Sequence, residues 1–272
     1  TQGKGAVGGS ADGAGNEVTL TGGTAGTIYG GAIDNADSTA DVTGNKVTIQ
    51  NGTYNRLYGG HTKGKGAAQN NEVTISGGTS SDDVHGGYTH DGGAATGNGV
   101  TLTGGTVTGA VYGGYTNGGG KTTNNTVNIG ADPTTLRQGD ASTLATGTNF
   151  TNAELYGGNK STVGNTLNVT VKDAAAKKAQ NFDKYTFYLT NSVAADKPKS
   201  GEINDAFTKT RGTMLSLADG FDGQTVDWNN VTVDTSKLSA DKTLGAITLM
   251  KSTAANKLKF SNYAAKNHAV SG

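Results

Sequence analysis

Residues 98–114 read NGVTLTGGTVTGAVYGG, and similar segments recur along the first part of the chain. The shared pattern is Asn-x-Val-Thr-(Leu/Ile)-x-Gly-Gly-Thr, a variable stretch, and then an aliphatic residue, Tyr or His, and Gly-Gly. Copies begin at Asn16, Asn45, Asn71, Asn98 and Asn125, and a degenerate copy begins at Asn165. The starts are therefore 29, 26, 27, 27 and 40 residues apart. Such a period is typical of repeat proteins in which each repeat packs on its neighbours.

Within each copy, apolar and polar residues alternate, which is the pattern of a β-strand with one buried face. A single copy has too few apolar side chains to form a core, so stacked copies must build a thin continuous one. The stack predicts three inward columns: Val18, Val47, Val73, Val100 and Val127; Leu20, Ile49, Ile75, Leu102 and Ile129; Ile28, Leu57, Val84, Val111 and Leu155. The leading asparagines are expected to form a ladder of amide hydrogen bonds. The Gly-Gly pairs are expected to supply corners with positive φ.

The composition supports an ordered β protein and excludes several other classes. Only 33% of the residues are hydrophobic and 45 are Gly, which is too polar for a globule with one large core. However, zero net charge and two prolines are not the composition of a disordered chain. The absence of cysteine excludes disulfides and thiol-ligated metals. The balanced charge argues against nucleic-acid binding.

We therefore predict an all-β fold, a right-handed parallel β-helix (β-solenoid) with a less regular C-terminal β capping region. Residues 1–172 are expected to hold the repeats, with an insertion near residues 130–152 that we interpret as a projecting loop. It is either a neutral length variant or a binding loop, since loops on a rigid scaffold often carry recognition. Residues 173–272 are expected to cap the stack, because an open last strand invites aggregation. Val7-Gly8-Gly9 resembles the tail of another copy and predicts further repeats upstream.

The C-terminal hundred residues lose the Gly-Gly period but keep the composition of strands. Residues 173–181 are rich in Ala and Lys, and we interpret them as a linker or a short helix. Strands are predicted where β-branched and aromatic residues cluster, at residues 185–189, 213–217, 231–233, 246–250 and 258–260.

An aromatic column is the candidate partner-binding surface. A ring follows the third inward aliphatic residue in each copy, and two further tyrosines can form a short second column. The residues are Tyr29, Tyr58, His85, Tyr112 and Tyr156, with Tyr88 and Tyr115 in the second column. By alternation these rings should face outward and stack. Stacked rings would stabilise the sheet, whereas a flat exposed strip would bind a glycan or a protein; both interpretations stay open here.

We expect no catalytic site, no cofactor and no bound metal. The acidic residues lie mainly in variable loops, without the aligned acid and base that polysaccharide cleavage needs. The densest titratable cluster consists of His85, His90, Asp82, Asp83 and Asp91, which is a conceivable metal site. However, His85 occupies the tyrosine position of the aromatic column, which indicates a substitution within that column.

The repeats, followed by YTFYL at 185–189, TMLSL at 213–217 and GAITLM at 245–250, resemble the passenger region of type V bacterial autotransporters. The resemblance is to large Gly-rich, adhesin-like surface proteins. It implies export across the outer membrane to the cell surface or the medium, and tethering by a C-terminal β-barrel that this chain does not include. It also implies a protein or glycan receptor on another cell as the partner. The alternative is a structural stalk or a self-associating extracellular fibre.

Overall fold

The structure is a computed structural model that describes residues 15–196, 210–254 and 257–263. The predicted repeat tail at residues 7–9 lies outside these ranges. Within them, strands make up nearly all of the regular structure, and all but one of the strand pairs are parallel. The fold is therefore all-β, as the sequence predicts.

The strands form where β-branched residues occupy alternate positions, a pattern that favours extended chain over helix. Two 3-10 helices, Asn191–Val193 and Trp228–Asn230, occur in the C-terminal part of the described chain. In chain order the strands are β1 (Glu17–Leu20), β2 (Thr24–Ala25), β3 (Ile28–Ile33), β4 (Val42–Thr43), β5 (Lys46–Ile49), β6 (Thr53–Tyr54), β7 (Leu57–Thr62), β8 (Ala68–Gln69), β9 (Glu72–Ser80), β10 (Val84–Thr89), β11 (Ala95–Thr96), β12 (Gly99–Val107), β13 (Ala110–Thr116), β14 (Thr126–Ile129), β15 (Glu154–Gly158), β16 (Thr166–Val169), β17 (Ala174–Ala176), β18 (Lys178–Gln180), β19 (Lys184–Tyr188), β20 (Ala195–Asp196), β21 (Thr210–Leu217), β22 (Thr225–Asp227), β23 (Val231–Asp234), β24 (Lys242–Thr243), β25 (Ala246–Ser252) and β26 (Lys259–Ser261).

One long sheet takes the first strand of every repeat. Its order is β1-β5-β9-β12-β14-β16-β19-β23, so each repeat adds its strand beside that of the preceding repeat. Val73 pairs with Val47 on one side and with Val100 on the other. The Asn-x-Val-Thr segments therefore lie side by side, parallel and in register, as predicted.

Two further parallel sheets come from later parts of the same repeats. The second sheet has the order β3-β7-β10-β13-β15-β18, and the third has the order β4-β8-β11. Leu57 pairs with Ile28 and Val84, so the third aliphatic column is also in register. Successive repeats thus contribute strands to three sheets in the same sequence.

The aliphatic columns form the core. From the second copy onward, their side chains are at most 1% exposed, which confirms the inward assignment. In the first described copy, Val18 and Leu20 are only partly buried, because β1 is the first strand of the described sheet.

The leading asparagines form the predicted ladder inside the stack. Each side-chain Nδ2 donates to the Oδ1 of the next asparagine, over 2.9 Å from Asn16 to Asn45 and 3.0 Å from Asn71 to Asn98. The backbone N–H of each asparagine donates to the same oxygen. From Asn45 onward these residues are buried. The ladder therefore satisfies polar groups that would otherwise be costly to bury.

The consensus repeat has one Gly-Gly pair before its conserved Thr and a second pair after its aromatic residue. The second pair has a different role from the predicted one. Gly86 and Gly87 lie within β10 and do not have positive φ. A Cβ on Gly87 would overlap the side-chain amide of Asn98, and Gly60 meets Asn71 in the same way. The expectation of positive-φ corners is wrong for this pair, because close approach to the ladder is what excludes a side chain. The expectation of positive φ is correct for the glycine directly before the conserved Thr, at Gly23, Gly78 and Gly105.

The sheets continue beyond residue 172. β18 extends the second sheet, and β19 and β23 extend the long sheet. Residues 173–181 form β17 and β18, so the prediction of a linker or short helix is wrong. The small side chains of Ala174 and Ala176 in β17 and of Ala179 in β18 are buried in the core. The five predicted strands are observed, with small shifts at their ends, as β19, β21, β23, β25 and β26.

The insertion near residues 130–152 lies against the scaffold and does not project from it. The backbone N–H of Asn149 donates to the carbonyl of Gly105 over 2.8 Å. The side chain of Phe150 is buried in the core. The expectation of a projecting loop is therefore wrong, because the insertion carries its own apolar anchor.

The tip of the insertion contacts residues that are far away in sequence. The N–H of Gly139 donates to the carbonyl of Lys237 over 2.8 Å, and Nζ of Lys237 donates to the carbonyl of Leu136 over 2.8 Å. Asn191 Nδ2 adds a 2.9 Å bond to the carbonyl of Gly139. The insertion is thus held between the long sheet and the C-terminal part of the described chain.

Candidate functional site

The predicted aromatic column is present on the side of the second sheet opposite the core. Neighbouring rings have centroids 5.2, 4.9, 5.2 and 4.7 Å apart, with interplanar angles of 6°, 15°, 11° and 12°. The in-register strands set this spacing. The structure therefore brings together all five predicted members: Tyr29, Tyr58, His85, Tyr112 and Tyr156.

The second column contains one residue that the sequence analysis missed. Tyr88 and Tyr115 stack as predicted, 5.3 Å apart with an interplanar angle of 3°. His61 stacks on Tyr88 at 5.1 Å and 11°. The sequence spacing could have predicted this residue, because His61 follows Tyr58 by three positions, as Tyr88 follows His85.

The two columns interlock and cover one another. His85 meets the rings of Tyr88 and Tyr115 edge to face, at 5.3 and 5.4 Å and angles of 87° and 89°. As a result Tyr58 and His85 are only 5% and 3% exposed, whereas Tyr29 at the end of the column is 41% exposed. Of the two interpretations of the column, an exposed strip does not fit Tyr58 and His85, because their neighbours cover their rings. Stacked rings expose only their edges to solvent. We therefore interpret the columns as stabilising the packing of the repeats, with a contribution of about 0.5–1.5 kcal/mol to the folding free energy from each aromatic pair.

Burial changes the titration of the two histidines in these columns. Desolvation lowers the pKa of His85 to about 3, and the nearby cation of Arg56 acts in the same direction. Desolvation also lowers the pKa of His61 to about 4, which the carboxylate of Asp34 offsets only in part. Both rings are therefore neutral at pH 7.

Acidification should destabilise the protein through these histidines. An unfolded histidine titrates near pH 6.5, so from about pH 6.5 to 4 the unfolded chain takes up protons that the folded chain does not. Stability is therefore lost as the pH falls through this window. We expect the double variant His61→Tyr/His85→Tyr to lose less melting temperature than the wild type between about pH 7 and 5, as followed by circular dichroism.

The matched control is His90→Gln. His90 is exposed and lies outside both aromatic columns, so this variant removes a histidine without changing the buried rings and should lose melting temperature on acidification as the wild type does. An equal loss in the double variant and the wild type would show that the buried rings do not cause the acid sensitivity.

The outer face of the long sheet carries a polar column that the sequence analysis did not single out. Thr48, Thr74, Thr101, Asn128 and Asn168 follow one another in register. Asn168 Nδ2 donates to Asn128 Oδ1 over 2.9 Å, and Asn128 Nδ2 donates to Thr101 Oγ1 over 2.9 Å. The signal was the Thr or Asn that recurs between the two inward aliphatic residues of each copy.

The insertion turns part of this column into a half-open hollow of about 620 Å³, which we call the polar groove. Thr74, Thr101, Asn128 and Asn168 form its floor. Residues 131–135 form a wall, and Tyr188 also lines it. The groove therefore combines residues of the repeats, the insertion and the C-terminal part.

The wall of the polar groove is a hydrogen-bonded turn. Asp132 Oδ1 accepts bonds from the backbone N–H and the hydroxyl of Thr134, over 2.8 and 2.7 Å. The carbonyl of Asp132 accepts the N–H of Thr135 over 3.0 Å. Asp followed by Pro133 is a favoured start for such a turn. These hydrogen bonds fix the conformation of the wall.

The charges at the polar groove are acidic. Among the described residues that line it, Glu72 and Asp132 are charged and none is Lys or Arg. Lys46 Nζ lies 3.4 Å from Glu72 Oε2, outside the lining. Desolvation, with the carboxylates of Asp234 and Asp132 nearby, raises the pKa of Tyr188. The phenol is therefore neutral and able to donate a hydrogen bond.

A second, more open hollow of about 450 Å³ lies beside residues 145–147 of the same insertion. Its lining includes Gly52, Gly78 and Gly105 at the bends of successive repeats, together with small polar side chains. It has no aromatic or charged lining residue in the part of the chain that the structure describes.

The conceivable metal cluster is not assembled. Asp82 binds Arg56, Asp83 Oδ1 accepts the N–H of Ala110, and His85 lies inside the aromatic column. Within residues 15–196, 210–254 and 257–263, no group of three or more potential ligands could hold a metal ion. No helix in those ranges is both long and apolar enough to cross a bilayer.

Comparisons with family models, with curated proteins and with solved structures found no match to this chain. Its function is therefore inferred from its own residues and geometry.

Proposed function

We propose that the chain is a right-handed parallel β-helix and belongs to the passenger region of a type V autotransporter. Three sheets that take strands from successive repeats in the same order, all parallel, support a continuous coil. Parallel strands of one sheet are almost always joined by right-handed crossovers, which supports the hand. The Asn ladder and the aromatic columns run from repeat to repeat, as stacked coils require.

The proposed function is that of an adhesin-like module at the bacterial surface or in the medium, which binds a protein or glycan on another cell. The polar groove is the observation that carries this proposal. It is a concave surface built by an anchored insertion on an otherwise regular stack, and loops on rigid scaffolds often carry recognition. The proposed role is binding, without a cofactor or a catalytic step.

A structural stalk or self-associating fibre is the second candidate. Val163, Val233 and Tyr263 are 63%, 45% and 65% exposed, and exposed apolar side chains favour association. Within the described residues, β23 is also the last strand of the long sheet, and an edge strand can pair with another chain.

Size in solution and binding to cells separate the two candidates. For the adhesin, we expect the purified chain to sediment as a monomer over a wide concentration range and to bind cells saturably. The same chain after thermal denaturation is the control and should not bind saturably. Filaments that grow with concentration, without saturable binding, would favour the fibre and contradict the adhesin.

A further inference from the structure

We infer that the polar groove binds a neutral oligosaccharide. This inference rests on the proposed binding function and extends it by naming the site and the chemical class of the ligand. Four features of the groove support it: its dimensions, its hydrogen-bonding groups, the sign of its charges and one aromatic wall residue.

The dimensions suit an extended ligand. A volume of about 620 Å³ lies within the range of about 300–1,000 Å³ that is typical of ligand sites. The floor crosses four neighbouring strands, β9, β12, β14 and β16. Since adjacent strands are about 4.8 Å apart, the floor runs along the stack for roughly 14 Å. A short chain of sugar rings fits such a floor better than a compact ligand does.

The floor holds hydroxyl and amide groups in a fixed order, with the threonines half-buried and Asn128 and Asn168 only 5% and 8% exposed. Asn168 donates to Asn128, which donates to Thr101. Thr101 Oγ1 accepts that bond, so its hydroxyl hydrogen remains available to a ligand. Thr74 on the next strand adds another hydroxyl to the same column. Polyhydroxylated ligands match this set, because each of their hydroxyls both donates and accepts.

The charges favour a neutral saccharide over an anionic one. A sulfate or uronate group in the groove would meet the carboxylate of Asp132, and no residue of the described lining is Lys or Arg. Glu72 adds a second carboxylate, which Lys46 outside the lining pairs at 3.4 Å. Like charges brought together in this way select against the wrong partner.

Tyr188 supplies the remaining feature of a sugar site. It is a half-buried aromatic side chain at a groove otherwise lined mainly by small polar residues. An aromatic ring offers apolar surface together with a polar tip, which suits a sugar ring with its C–H face and its hydroxyls. In contrast, the stacked columns have their ring faces covered within the stack.

The test uses titration calorimetry of the full chain with defined probes. The neutral probes are maltohexaose, cellohexaose and chitohexaose, and the anionic probes are a heparin hexasaccharide and hexagalacturonate. We expect at least one neutral probe to bind, with an affinity that does not change with salt concentration, since no ion pair is involved. The anionic probes should not bind.

The variant Thr101→Val removes the central hydroxyl without changing the size of the side chain. We expect it to weaken binding of the neutral probe by about tenfold or more, because the ligand hydroxyl that pairs with Thr101 is left without a partner. The variant also loses the bond from Asn128 Nδ2, so its melting curve is measured to show that it remains folded. The matched control, Thr48→Val, lies in the same column but outside the groove and should bind as the wild type does.

Several outcomes would overturn the inference: no binding of any neutral probe, preference for the anionic probes, or equal binding by Thr101→Val and the wild type. The experiments distinguish an error in the proposed ligand of the groove from an error in the proposed adhesin function. Saturable cell binding that neutral probes do not inhibit and Thr101→Val does not weaken would refute the groove alone. Groove-dependent binding of a neutral probe without cell binding would refute only the adhesin function.

Discussion

Replacing Ile75 with aspartate is expected to unfold the stack. Ile75 is fully buried and pairs in register with Ile49 and Leu102. A carboxylate at this position would have no partner in a dry, thin core, at a cost of at least about 4 kcal/mol. That cost approaches the whole stability of many domains. Thermal and urea denaturation followed by circular dichroism measure the effect.

A position on the adjacent strand provides the control. Thr48 lies on the outer face of the adjacent strand β5 and outside the polar groove, so Thr48→Asp should change stability by no more than about 1 kcal/mol. An Ile75→Asp protein that melts like the wild type would contradict the inward assignment of the aliphatic columns.

Gly87→Ala is expected to lower the free energy of unfolding by about 3 kcal/mol. The added Cβ would overlap the amide of Asn98, which donates to Asn125 and accepts from Asn71. The amide can move only by giving up buried hydrogen bonds, and unpaired buried groups are costly. Urea denaturation of the variant and the wild type gives the difference directly.

Gly99→Ala is the matched control, because Gly99 also lies in a strand next to the ladder. A Cβ there would meet no atom within 4 Å, and its φ is not positive. We expect this variant to be as stable as the wild type or slightly more stable, since alanine restricts the unfolded chain. Equal stability of Gly87→Ala and Gly99→Ala would show that the glycines do not make room for the ladder.

The aromatic columns and the polar groove differ in how well the sequence predicts them. The rings recur at a constant position, so their stacking was predictable, but the mutual covering of Tyr58, His85 and the second column was not. The groove needs the insertion to fold back on the repeats, and no repeated pattern records that event. The candidate binding site is therefore the polar groove on the long sheet and not the aromatic columns that the sequence predicts.

Some core positions were missed for a related reason. Tyr54 is buried and pairs with Ser80, which pairs with Val107. A tyrosine, a serine and a valine share no hydropathy pattern, so these aligned residues are not visible as a column in the sequence. The aliphatic columns and the asparagines were visible because the same residue types recur.

The sequence by itself determined the all-β class, the register of the repeats, the three aliphatic columns and the Asn ladder. Each of these depends on the same local segment being copied, so the spacing within one repeat predicts the contacts between repeats. Only the tertiary structure decided that the second glycine pair accommodates the ladder, that residues 173–181 continue the sheets, and that the insertion lies against the stack. Those features depend on contacts such as Gly139 with Lys237, whose energy comes from packing between segments that are distant in the chain and share no pattern.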